Sequence, residues 1–110
     1  MSEFKLHSTA ITYHVNIHMA GDINHARQIL RKLVMEGVCV QLIECEYIYT
    51  GGLEKGFIVR FIQYPRFYKL ETEILSQVRK YAQILAEELG QVSYTIEDLA
   101  ETYHYRMKGE

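Results

Sequence analysis

At 110 residues the chain is long enough to bury one two-layer core and too short for two domains, so residues 1–110 read as a single domain with its core over about 10–97. Its composition, 48% hydrophobic and 24% charged with one proline, is that of an ordinary globular domain. A net charge of -2, from 12 basic and 14 acidic side chains, supplies no global field for a polyanion and argues against salt-driven nucleic-acid binding.

The first element is a strand. From Ala10 to Met19, Ile11, Tyr13, Val15, Ile17 and Met19 alternate with Thr12, His14, Asn16 and His18, the period of a half-buried strand. Gly21 breaks it, and Asp22 stands at the N-cap of a helix carrying Ile23, Ala26, Ile29, Leu30, Leu33 and Val34 on one face. Arg31 and Lys32 near its end and Gly37 beyond it supply the stop. Val38 to Tyr49 reads as a second strand and Thr50-Gly51-Gly52 as a turn, with Leu53 and Glu54 counted in the loop. Gly56 to Tyr64 is then a third strand, ended by Pro65. Leu70, Ile74, Val78, Tyr81, Ala82, Leu85 and Leu89 form the stripe of a long second helix closed by Gly90. Gln91 to Glu97 alternates again as a fourth strand. The tail, residues 98–110, holds Tyr103, His104, Tyr105 and Arg106 in strand-like alternation and predicts a fifth strand, within this subunit or in a partner.

This order predicts an α+β, ferredoxin-like βαββαβ two-layer sandwich: an antiparallel sheet with two helices on one face, in which strands one and three lie parallel at the centre. The odd-numbered residues of strand one face the helices with Phe57, Val59 and Phe61. The other face carries Thr12, His14, Asn16 and His18, Ile58, Arg60, Ile62 and Tyr64, and Ser93, Thr95 and Glu97. The apolar Ile58, Ile62 and Tyr64 predict that something covers this face: a second subunit, a ligand or the chain's own tail.

Candidate ligand-binding residues follow from that face: His14, Asn16, His18, Arg60, Tyr64 and Thr95. Arg60, beside His14 or Asn16 on the neighbouring strand, suits a carboxylate or phosphate. No metal site is expected, because histidines four apart on a strand stand roughly 13 Å apart, too far for one zinc ion. No cofactor is implied either, since neither a Walker loop nor a dinucleotide glycine pattern is present. Asp22 argues for a structural cap at the first helix rather than a phosphate site. No local signature activates Cys39, Cys45, Ser8, Ser76 or Ser93, and no catalytic residue is assigned. Cys39 and Cys45 lie about 20 Å apart along one strand, beyond disulfide reach, and read as buried or half-buried free thiols. RNA-recognition domains share the topology, but His14, Asn16, Arg60 and Ile62 stand where stacking rings are needed.

Tyr13-His14-Val15-Asn16-Ile17-His18-Met19-Ala20-Gly21-Asp22, together with Tyr47-Ile48-Tyr49-Thr50-Gly51-Gly52 and Tyr64-Pro65-Arg66-Phe67, resembles an uncharacterised family of small phage and prophage proteins. The resemblance covers about the first two thirds of the chain. It implies a virus-host role, such as binding a host protein or a small signalling molecule, and assigns no activity to residues. The sequence thus supports a non-enzymatic homodimeric module for a small polar or anionic, nucleotide-like ligand. The alternatives are a small enzyme using His14, His18 and Arg60, and a protein-protein interaction domain. A cytoplasmic location without membrane contact is expected, since no apolar run reaches the ~20 residues of a span and the first residues carry Glu3 and Lys5.

Overall fold

The computed structural model describes residues 2–109. The chain forms β1 (His14–Ala20), α1 (Ile23–Leu33), β2 (Gln41–Tyr49), β3 (Gly52–Ile62), α2 (Glu71–Leu89), β4 (Ser93–Glu97) and β5 (Thr102–Arg106). Single 3-10 turns at Val34–Glu36 and Pro65–Phe67 follow α1 and β3. The strands make one sheet in the order β2-β3-β1-β4-β5, and every adjacent pair is antiparallel. β1 and β3 are the central neighbours, as expected, but they run antiparallel rather than parallel. The crossover through α1 makes β1 and β2 parallel, and the hairpin then reverses the chain, so the strand inserted between them must oppose both. The tail supplies the fifth strand within the same subunit, beside β4.

Hydrophobic periodicity sets the core. Val15, Ile17 and Met19 from β1, Phe57, Val59 and Phe61 from β3 and Ile96 from β4 meet Ala26 and Leu30 from α1 and Ile74, Val78, Tyr81, Ala82 and Leu85 from α2. Asp22 caps α1 by accepting from the Asn24 amide at 2.9 Å. The Tyr81 ring is wholly buried, and its hydroxyl donates to the Leu33 carbonyl and to Glu36, both at 2.9 Å, joining α2 to the end of α1.

Strand boundaries differ from the sequence reading, most of all at the start of β1 and at the hairpin. β1 begins at His14 rather than Ala10, because its partner β3 ends at Ile62 and Pro65 turns the chain away; the last link is Gln63 N–H to the Tyr13 carbonyl at 2.8 Å. Ile11, expected against the helices, is therefore 88% exposed. The hairpin is tighter than expected: Tyr49 pairs with Gly52, so Leu53 and Glu54 belong to β3 and the turn is Thr50-Gly51 alone. Gly51 takes a positive φ of 85°, which a two-residue connection favours. Cys39 precedes β2 and is exposed rather than buried, while Cys45 is half-buried.

Candidate functional site

The face of the sheet away from the helices is laid out by register. One cross-strand row reads Gln41, Arg60, Asn16, Glu97, Thr102, and the next reads Ile43, Ile58, His18, Thr95, His104. Strand alternation sends all ten side chains to the same face.

Where these rows meet on β1 and β4, a polar cluster forms. His18 Nε2 lies 2.8 Å from Glu97 Oε1, and Asn16 Nδ2 donates to the same oxygen at 3.4 Å. These two contacts, with His18 the stronger, hold the Glu97 carboxyl below the usual carboxylate range, so it is ionised at neutral pH. Both partners keep contact with solvent, with side-chain exposures of 27% for His18 and 47% for Glu97. Tyr47 closes the cluster from β2. Its hydroxyl donates to the Phe57 carbonyl at 3.2 Å and lies 3.4 Å from His18 Nδ1, and its ring meets the imidazole edge-on. Burial, then a hydrogen bond with Cys45, pushes the Tyr47 phenol far up.

Gly56 makes that reach across the sheet feasible. A Cβ there would stand 2.6 Å from the Tyr47 ring and would collide with the Met19 carbonyl, so only glycine leaves room for the tyrosine over β3.

The six residues singled out from the sequence fall into three groups. Asn16 and His18 lie in the cluster itself. Thr95, paired with His18 in register, turns its hydroxyl to His104 Nδ1 at 3.1 Å. Arg60 sits opposite Asn16 on the side away from Glu97, and its guanidinium donates to Gln41 at 3.4 Å. His14, opposite Ile62, buries its Nδ1 without a protein partner, as Asn16 does its Oδ1. Tyr64 lies apart, beyond the end of β3, with its hydroxyl 3.2 Å from Cys39 Sγ. Sequence reasoning did not single out Tyr47, Gln41 or His104 as site residues. The odd-numbered alternation of β2 and the presence of Gly56 were the available signals for Tyr47. Among the described residues no three His, Cys, Asp or Glu side chains converge as a metal site requires, and no helix is long and apolar enough to cross a membrane.

A cavity of about 890 Å³ opens at the end of the sheet where the β1–α1 loop faces the β2–β3 hairpin. Asp22, Glu44 and Glu46 line it against the single cation of Lys55. That charge balance disfavours an anion there, and the Asp22 carboxylate already occupies the helix N-terminus.

No family model matches the sequence, and no curated protein matches it. Two solved structures resemble the fold. A phage SAM lyase in complex with S-methyl-5'-thioadenosine aligns over 98% of this chain and 99% of its own, with TM-score 0.69 and 12% identity. A phage SAM lyase in the apo state aligns over 89% and 91%, with TM-score 0.65 and 13% identity. At such identity the likeness is one of fold: the five-stranded antiparallel sheet with two helices on one side is an architecture found in phage proteins.

Proposed function

We propose that the open sheet face binds a small adenosine-type ligand of the S-adenosylmethionine and S-methyl-5'-thioadenosine class, in a homodimer or larger assembly of this chain. The observation that carries this reading is the row Arg60, Asn16, Glu97: a cation, an amide and an ionised carboxylate on three adjacent strands. Neighbouring strands are about 4.8 Å apart, so the backbones bearing the two charges lie about 10 Å apart, and one small zwitterionic molecule bridges them. In S-adenosylmethionine the carboxylate suits Arg60, and the sulfonium suits Glu97. The full-length fold likeness to a phage lyase that holds S-methyl-5'-thioadenosine supports the ligand class. It also agrees with a role in a phage-infected host.

A second reading, catalysis, is favoured by the His18–Glu97 contact of 2.8 Å, which pairs a group able to carry a proton with a carboxylate that orients it. Release of S-methyl-5'-thioadenosine from S-adenosylmethionine breaks the bond between sulfur and the aminobutyryl carbon, with the electron pair going to sulfur, while the neighbouring C–H bond supplies the pair of a new C=C bond and gives up its proton. His18 is then the candidate for taking up a proton.

Titration calorimetry with S-adenosylmethionine, S-methyl-5'-thioadenosine and a panel of phosphates and carboxylates tests the binding claim. S-adenosylmethionine is expected to bind most tightly. Arg60→Ala and Glu97→Gln are each expected to weaken it about 10- to 100-fold, the range of a charged hydrogen bond, and His14→Ala to act in the same direction. Absence of binding to every adenosine ligand, or variants that bind like wild type, would sink the proposal. Chromatography of the same mixtures for released S-methyl-5'-thioadenosine separates binding from cleavage.

A further inference from the structure

Ahead of β1 the described chain is irregular from residue 2 to 13. Its start nonetheless has the pattern of an edge strand: Glu3, Lys5 and His7 alternate with Phe4 and Leu6, so extended backbone places the two large apolar side chains on one side. Phe4 is 99% exposed and Leu6 84%. The base of this arm is tied to the end of β3 through Tyr13, His7 and Ser8 lie by the Tyr64–Phe67 turn, and residues 2–6 are all exposed.

The molecule also carries a matching acceptor. β2 is an edge strand, paired only with β3 among the described residues. On the helix side of that edge runs a mainly apolar groove of about 300 Å³, lined by Val34, Val38, Val40 and Leu42 and also by Arg27 and Arg31 of α1. Farther along, the same side of the edge is closed to apolar partners by the exposed charges of Glu44 and Glu46. Only the stretch around residues 38–42 is open to docking.

We propose that the N-terminal arm of one copy adds as a further antiparallel strand along residues 38–42 of a second copy, the segment that leads into the free edge of β2, its Phe4 beside Val40 and its Leu6 beside Val38. Charge selects this register. With those apolar pairs in place, Glu3 falls beside Gln41 on the opposite face, one strand beyond Arg60. The Arg60 guanidinium has no carboxylate partner among the described residues and already reaches toward Gln41. A parallel alignment that keeps Glu3 beside Gln41 sets Leu6 beside Glu44 and forfeits the apolar contact. Backbone pairing supplies the affinity and the two side chains the specificity, as in other strand additions. The apolar contact lies on the helix side of the sheet and only Glu3 reaches the open face, beside Gln41 and one strand from Arg60; the docking itself does not rest on the ligand proposed for that face.

Cys39 allows a direct test. The register sets it opposite Lys5, and antiparallel neighbours about 4.5–5.5 Å apart at Cα fall within disulfide span. Mild oxidation of full-length Lys5→Cys protein is expected to give a covalent dimer whose bond maps between the introduced thiol and Cys39. The dimer is expected to vanish when Cys39→Ser is added, and its formation to slow by about tenfold or more when Phe4→Ser and Leu6→Ser are added, the effect of losing at least one large apolar contact. Phe4 and Leu6 are exposed in the isolated chain, so an unchanged melting temperature verifies that the fold is intact. An intramolecular bond, no bond, a dimer that survives Cys39→Ser, or one indifferent to the Phe4 and Leu6 substitutions each overturns the proposal.

Discussion

Glu97 shows how single side chains set the character of the open face. Its carboxyl is stabilised in the charged form by His18 and then Asn16, so its pKa in the folded protein lies below the ordinary 4.5. A depressed folded pKa contributes stability above the unfolded value and loses it as pH falls through the folded one. Wild type is therefore expected to exceed Glu97→Gln in melting temperature at neutral pH, with the gap narrowing as pH drops below 4.5. A gap that widens in acid contradicts the assignment. At Gly56 the constraint is steric. Gly56→Ala is expected to cost about 1–3 kcal/mol in urea denaturation as an overpacked site. Adding Tyr47→Ala is not expected to rescue it, because the Met19 carbonyl still blocks the Cβ.

At the scale of elements, α2 joins the helical layer to the sheet. Val78 and Leu85 are wholly buried against it. Val78→Asp is expected to unfold the domain, since an unpaired buried charge costs several kcal/mol against a total of roughly 5 to 15; a soluble variant with wild-type melting temperature would contradict the packing. Tyr81→Phe keeps the ring and removes the hydroxyl shared by Leu33 and Glu36, and about 1 kcal/mol or more is expected to be lost in the same urea measurement. Such elements were legible because their signals are local. The stripe from Ile74 to Leu85 and the alternation from Tyr13 to Met19 each fix a face without knowledge of neighbours. Strand ends and relative direction were not, because partners decide them: residues 10–12 alternate as well as Tyr13 does, yet β3 has nothing left to offer them past Gln63. The site was legible to the same depth. His18, Asn16 and Glu97 follow from parity once the sheet is given, whereas Tyr47 required knowing that β2 lies beside Gly56, and Arg60 turns to Gln41 rather than to β1.

For the molecule as a whole, the open face is the surface on which the proposed function rests. It combines the His18–Glu97 cluster with half-buried Ile58 and Ile62 and exposed Ile43, a mixture that suits a ligand held under a second subunit. Light scattering in dilute near-physiological buffer is expected to give a mass of at least two chains, and a monomer at micromolar concentration would remove that cover. The most direct test of the central claim is the map of nuclear magnetic resonance shifts on titrating S-adenosylmethionine into labelled protein. The account predicts that the largest changes fall on the Asn16 side-chain amide and on the backbone amides of His18, Arg60 and Glu97. Shifts confined to the helix side or to the groove around Asp22 and Lys55, or no shifts at millimolar ligand, would contradict it.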